Sequence, residues 1–149
     1  MLFFHQPVLL REVVASLACR GGRVYIDGTV GGAGHAFEIL KESSPDGLLI
    51  GIDADAEALH AAEKRLHPFR DRVKLVRGNF ADIGDILLNL NIDRVDGILL
   101  DLGVSSPQLD VATRGFSFAK EALLDMRMDS RQEWSARQLV NTGDRKSVV

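Results

Sequence analysis

Cysteine occurs once, as Cys19, so no disulfide can form within the chain, and this usage fits a reducing compartment. No apolar run approaches the ~18 residues that a membrane-spanning helix needs, so no membrane partner is expected. The residues ahead of Pro7 lack the basic n-region of a secretory signal, and the expected location is cytoplasmic. Excess basic charge is also missing. A formal net charge of −3 gives no overall footprint for nucleic-acid binding, although it leaves a local basic patch open. His5, His60 and His67 do not have metal-ligand spacing, so no metal is expected. There are no internal repeats and no low-complexity segment. What is present is a chain of 149 residues, 46% hydrophobic and 26% charged, which is enough for one globular domain with a real core.

The pattern along the chain alternates between strand and helix. Leu9, Leu10, Val13, Val14 and Leu17 recur with a helical period, which predicts a helix over Pro7 to Ala18. Arg23 to Thr29 reads as a first strand, followed by a helix from Gly34 to about Ser43. Leu48 to Asp53 reads as a second strand. Asp55 is placed to cap an alanine-rich helix that runs to Leu66. Val73 to Phe80 alternates as a third strand, and Asp82 to Leu90 is a short helix. Val95 to Asp101 is nearly all apolar and is expected to lie centrally in the sheet. Such alternation implies right-handed crossovers and a doubly wound parallel α/β sheet. The periodicity stops after Asp101. Leu102 to Ser130 mixes Gly, Ser, Pro, Asp and Arg in the place where such folds bind substrate.

The chemistry concentrates between Tyr25 and His35. A β-branched segment ends in Asp27, and four glycines follow within Gly28 to Gly34. That density lets backbone N–H groups approach a ligand that side chains would hold off. The dinucleotide fingerprint fails, because Phe37 stands where the third glycine of G-x-G-x-x-G belongs. Asp27 would repel a diphosphate but suits a cofactor with a cationic amino acid end, as in S-adenosylmethionine (AdoMet). Asp53 ends the next strand 19 residues after Gly34, near the offset of roughly 20 at which an acid meets ribose hydroxyls. Each acid has a plain alternative as a helix N-cap.

Several motifs then appear in order: His5-Gln6-Pro7-Val8-Leu9-Leu10-Arg11-Glu12, the Asp27–His35 loop, Asp101-Leu102-Gly103-Val104-Ser105-Ser106-Pro107-Gln108-Leu109-Asp110, Arg114-Gly115-Phe116-Ser117-Phe118 and Leu124-Asp125-Met126-Arg127-Met128-Asp129. Together they resemble the ribosomal RNA small-subunit methyltransferase H family, also called MraW. The resemblance implies a Rossmann-like AdoMet-dependent methyltransferase fold. It also implies methyl transfer to the exocyclic N4 of a cytosine in the decoding region of small-subunit ribosomal RNA, within the assembled subunit. By position, it places cofactor contacts on Ala33, Gly34, His35, Asp53, Phe80, Asp101 and Gln108. Without it, Phe80 would read as a core phenylalanine and His35 as a packing or capping residue whose backbone matters more than its ring.

A cytosine amine is a weak nucleophile because its lone pair is delocalised into the ring. Catalysis should therefore rest on positioning and on an acceptor for the N–H proton. Asp101 is the expected acceptor, with Ser105 and Ser106 as second choices that also read as a turn-forming pair. Asp125, Arg127 and Asp129 read either as an RNA-positioning group or as a salt-bridged loop. The resemblance further implies members of about twice this length. The expected division is an AdoMet-binding half over 1–103, a substrate-side loop with the start of an inserted helical domain over 104–142, and a non-native tail over 143–149. Asp144 to Val149 matches one translation of a sequencing-library adapter. Three other readings stand beside this one: a truncated fragment that binds cofactor without turnover, a methyltransferase acting on DNA or a small molecule, and an NAD-dependent oxidoreductase.

Overall fold

The computed structural model describes residues 7–143, so His5, Gln6 and the tail from Asp144 lie outside the described residues. Two compact units divide between Leu102 and Gly103. The first runs α1 (Leu10–Leu17), β1 (Val24–Asp27), α2 (Gly34–Glu42), β2 (Leu48–Asp53), α3 (Ala56–Leu66), β3 (Val73–Arg77), α4 (Ile83–Asn89) and β4 (Gly97–Leu99). Short 3-10 segments at His67–Arg72 and Phe80–Asp82 precede β3 and α4. The strands form one parallel sheet in the order β3-β2-β1-β4.

The period of two in the strands divides the core. Tyr25 and Leu49 pack with Ala36, Ile39 and Leu40 of α2 and with Ala62 and Leu66 of α3. Ile26, Ile50 and Ile52 point the other way, towards Ile83, Ile86 and Leu87 of α4. A parallel sheet covered on both faces needs strands that are apolar throughout, and β1 and β2 have that composition. The buried Tyr25 hydroxyl accepts the Arg20 N–H at 3.0 Å, so this ring brings no unsatisfied polar atom into the core.

The strand over Leu48 to Asp53 and the Asp55 cap agree with the sequence reading; the Asp55 carboxylate accepts the Glu57 N–H at 3.0 Å. Other boundaries are tighter than expected. α1 is bounded at both ends by left-handed residues, Leu9 and Ala18. β1 stops at Asp27, where the Gly28 N–H to Leu99 carbonyl bond of 2.9 Å is the last of its ladder with β4. β3 stops at Arg77 after a last ladder bond from the Gly78 N–H to the Asp53 carbonyl, and Asn79 then caps the following 3-10 turn. The expected central position of the fourth strand is corrected. Among the described residues β4 is three residues long, pairs with β1 alone and forms one edge of the sheet. Its apolar run suits a strand with two neighbours, and with one neighbour Ile98 remains 48% exposed.

The second unit contains α5 (Ser106–Asp110), a 3-10 turn at Ala112–Arg114 and α6 (Ala136–Thr142). Gly115 is left-handed, with φ 71°, and a Cβ there would come within 2.4 Å of the Leu123 carbonyl oxygen. Only glycine closes that turn. α6 was not expected from periodicity. It starts at a capping box in which the Gln138 side chain accepts the Ser135 N–H at 2.9 Å.

Ile50 lies fully buried between β1 and β3. Ile50→Ala should lower unfolding stability by about 2–5 kcal/mol, through lost burial and the cavity left behind, as read from the urea midpoint.

Candidate functional site

The loop between β1 and α2 is anchored by bonds that run away from its exposed surface. The Val30 N–H bonds the Ile52 carbonyl at 3.0 Å, and the Ala33 N–H bonds the Val30 carbonyl at 2.7 Å. The Gly31 N–H donates to Asp53 Oδ2 at 2.8 Å, and Arg65 of α3 donates to the Gly32 carbonyl at 3.1 Å. Gly32 is exposed, and a Cβ added there would meet nothing within 4 Å, so the loop has open space above it. Ala33 is fully buried and left-handed, with φ 59°, directly before α2. A methyl side chain in that region is strained by roughly 1–2 kcal/mol. A Cβ at Gly34 would overlap the Pro7 ring, which fixes glycine at the first position of the helix.

The parallel strands bring their carboxyl ends to one edge of the sheet. Asp27 ends β1, Asp53 ends β2, Phe80 follows β3 and Asp101 follows β4. Neither Asp27 nor Asp53 caps a helix. Ala33 and Asp55 hold those positions, which removes the plain alternative for both acids. Asp53 accepts from Gly31 through Oδ2 and from Asp55 N–H through Oδ1 at 2.9 Å. Each oxygen keeps a second lone pair for a further donor such as a hydroxyl. Burial pushes the Asp53 carboxyl above its ordinary range, against these N–H donors, which act in the opposite direction.

Asp27 is 1% exposed. Its Oδ1 accepts the Thr29 N–H at 3.1 Å and the Thr29 hydroxyl at 3.5 Å, and no described residue donates to Oδ2. Among the described residues no basic side chain lies within ion-pair distance of it. Burial is the main reason that its carboxyl is pushed up to about 7; Thr29 opposes the shift, and the charges of Asp53 and Asp101 add to it. Asp101 is half exposed, and its N–H donates to the Thr29 hydroxyl at 2.7 Å. The buried His35 ring spans from the Val8 carbonyl, 3.0 Å from Nε2, to Asp101 Oδ2, 3.7 Å from Nδ1. Nε2 must carry the hydrogen to bond a carbonyl, so the ring ties the start of α2 to the segment before α1. Phe80 is 39% exposed and therefore not a core phenylalanine; the base of its side chain lies over Gly28, where an added Cβ would come within 3.1 Å of the Phe80 Cβ.

Ser105, Ser106 and Gln108 belong to the second unit. Gln108 is buried, and its Oε1 accepts the Ser105 N–H at 2.9 Å in the capping box that starts α5; Ser106 is the first residue of that helix. In the same unit Arg127 grips Asp125 with two bonds of 2.8 Å and donates to the Gln132 carbonyl. This pairing holds the Asp125 carboxyl down at about 2. Arg131 pairs with Asp129 at 2.7 Å. The salt-bridged loop is thus present.

Sequence reasoning did not single out Thr29. The available signal was its place two residues after a strand-ending aspartate, where a hydroxyl can bond back to the acid. The S-x-x-Q spacing of Ser105 and Gln108 likewise announces a capping box. Asp27 also yields a test of stability. With a carboxyl near 7 in the folded chain against 3.8 ordinarily, the folded state keeps a proton that the unfolded state has lost between those values. Stability should therefore fall as pH rises through that window and remain lower above it. Asp27→Asn should be more stable than the parent at pH 8 by at least about 1 kcal/mol, with the gap closing towards pH 5, in urea titrations.

The model of the MraW methylase family matches residues 2–149. Ribosomal RNA small subunit methyltransferase H of Syntrophus aciditrophicus (strain SB) is 62% identical over 139 residues, covering 93% of this chain and 44% of that protein. The protein of the same name from Symbiobacterium thermophilum is 53% identical over 149 residues, covering 100% of this chain and 47% of its own. The chain therefore spans less than half the length of these relatives. Among solved structures, NSun6 from Pyrococcus horikoshii with SFG aligns at TM-score 0.53 and 25% identity over 66% of this chain and 24% of its own. The C-terminal domain of precorrin-6Y C5,15-methyltransferase from Rhodobacter capsulatus aligns at 0.53 and 20% identity, over 68% and 52%, which supports the fold alone. With the family model matched over nearly its whole length, the chain belongs to the MraW methylase family.

Proposed function

We propose that this chain carries the AdoMet-binding part of an enzyme that methylates the N4 amine of a cytosine in the decoding region of small-subunit ribosomal RNA. Its substrate would be the assembled small subunit, and its location the cytoplasm. The observation that carries this reading is the pair of strand-end acids on either side of an open glycine loop, with Asp27 buried and lacking a cationic partner among the described residues. A diphosphate would meet Asp27 as a like charge, whereas a cationic amino acid end would supply the missing partner. The 62% and 53% identities to proteins named for methylation of small-subunit ribosomal RNA support the choice of substrate.

The residues fit AdoMet in three ways. Asp53 has lone pairs left for ribose hydroxyls at the end of β2. Phe80 leaves ring surface exposed after β3, where an apolar face can stack on a purine. The backbone N–H groups of Gly34 and His35 at the start of α2, after the left-handed Ala33, have no acceptor within the helix and suit a carboxylate. When bound, AdoMet supplies an electrophilic methyl group on a sulfonium centre. Asp101, half exposed at the end of β4, would accept the N–H proton of the cytosine amine as its nitrogen becomes nucleophilic. Its backbone bond to Thr29 holds it in place without using the carboxylate.

Calorimetric titration should show AdoMet binding and no binding of NADH. Phe80→Ala should weaken AdoMet binding about ten-fold, the size expected for loss of one ring stack, with little loss of stability. Tritiated methyl transfer to small subunits from a strain lacking the modification tests the substrate. AdoMet binding without transfer would favour a cofactor-binding fragment, and NADH binding without AdoMet binding would overturn the reading.

A further inference from the structure

Thr29 lies two residues past the end of β1, and its side chain connects two acids carried by different strands. Its hydroxyl accepts the Asp101 N–H at 2.7 Å and lies 3.5 Å from Asp27 Oδ1, the oxygen that also takes the Thr29 N–H at 3.1 Å. These bonds fix the direction of each proton. An amide N–H can only donate, so the hydroxyl oxygen meets Asp101 with a lone pair and its own hydrogen points to Asp27. Asp27 Oδ1 is then the acceptor for both Thr29 donors. A proton taken up by the buried carboxyl must sit on Oδ2, the oxygen to which no described residue donates.

We propose that Thr29 is a positioning residue: its hydroxyl sets the place of Asp101 and assigns Asp27 Oδ2 as the oxygen that meets the ligand. The effect on binding rests on the AdoMet reading given above; the effect on Asp101 does not. Strand pairing alone does not hold Asp101. The β1–β4 register ends at Asp27 with Leu99, and the Gly28 N–H to Leu99 carbonyl bond is the last backbone link before the chain leaves the sheet. Two residues further on, the Asp101 amide is held by the Thr29 side chain. The rival explanation is packing, since a threonine also fills space with its methyl group. The two differ in a simple way: valine keeps the shape and loses the hydroxyl, and serine keeps the hydroxyl and loses the methyl.

Thr29→Val and Thr29→Ser are compared in the chain as it stands, by amide hydrogen exchange without ligand and by AdoMet titration. Exchange at Ile50, fully buried in β2, serves as the reference for an intact sheet. The expected result for Thr29→Val is about ten-fold faster exchange of the Asp101 amide and about ten-fold weaker AdoMet binding, with Ile50 unchanged and Thr29→Ser within about three-fold of the parent in both. If Thr29→Val does not fold, Thr29→Ala replaces it, since a smaller side chain cannot clash. Thr29→Ser behaving like Thr29→Val would assign the role to the methyl group and overturn the proposal. Parent-like exchange and binding in both variants would overturn it as well. If the parent itself fails to take AdoMet, the reading under Proposed function falls alone, and the contrast in Asp101 exchange between valine and serine still decides for or against Thr29.

Discussion

The carboxylate of Asp53 is the fixed point of the first unit's working edge. It takes one N–H from Gly31 and another from Asp55, and so joins the glycine loop, the end of β2 and the approach to α3 in a single group. An uncharged side chain could accept one of these bonds but would not match two converging donors as well as an ionised carboxylate does. Burial works against the charge and pushes the carboxyl up, while the amides of Asp55, Gly31 and Ala54 work to keep it ionised. Loss of the Gly31 or Asp55 amide would leave a half-buried charge with less compensation, and the loop would lose its tie to the sheet. The remaining loop bonds, from Val30 to Ile52 and from Arg65 to Gly32, brace the same turn from the core and from α3.

Asp27 is the counterpart in which compensation is incomplete. It is more deeply buried than Asp53, and both donors that reach it come from the single residue Thr29. Burial is the main cause of the displacement of its carboxyl to about 7, and Thr29 alone supplies the hydrogen bonds that oppose it. A site that binds a charged ligand commonly carries such a local deficit, because the ligand supplies the partner that the free protein lacks. The deficit is tolerated because the frame beneath it is well packed: Tyr25, Ile26, Leu49 and Ile50 are all buried to within 1%.

Much of this frame was legible in the sequence because it depends on short-range rules. The strand over Leu48 to Asp53, the Asp55 cap and the start of α2 at Gly34 follow from apolar runs, capping chemistry and glycine spacing. The two acids and the glycine loop were visible for the same reason, being neighbours in sequence or at a recognisable offset. What escaped notice depends on contacts that no local pattern encodes. The Thr29 hydroxyl meets an amide 72 residues away, and the left-handed turn at Ala33 breaks the expectation that glycine fills such positions. The apolar run before Asp101 announced a buried strand, yet nothing local specifies which neighbours a strand has, and β4 lies at the edge. The capping box at Ser105 and Gln108 is local and readable from its S-x-x-Q spacing, although the same residues also fit a chemical role.

Charge arithmetic then narrows what this edge of the sheet suits. Asp27, Asp53 and Asp101 stand at the ends of three strands that are neighbours in the order β2-β1-β4, and the charges of Asp53 and Asp101 add to the burial that pushes the Asp27 carboxyl up. The nearby cation of Arg65 is already bonded to the Gly32 carbonyl, and His35 Nε2 faces the Val8 carbonyl. At an effective dielectric of about 20, a unit charge 4 Å from another is worth about 4 kcal/mol. A ligand bringing positive charge near Asp27 would therefore favour ionisation of a group that the free protein holds near its midpoint at neutral pH, and an anionic ligand would oppose it. Binding of a cation here should release a proton and grow tighter as pH rises through about 7. That direction follows from where Asp27 sits and from which donors reach it, whichever cationic ligand fills the space above Gly32.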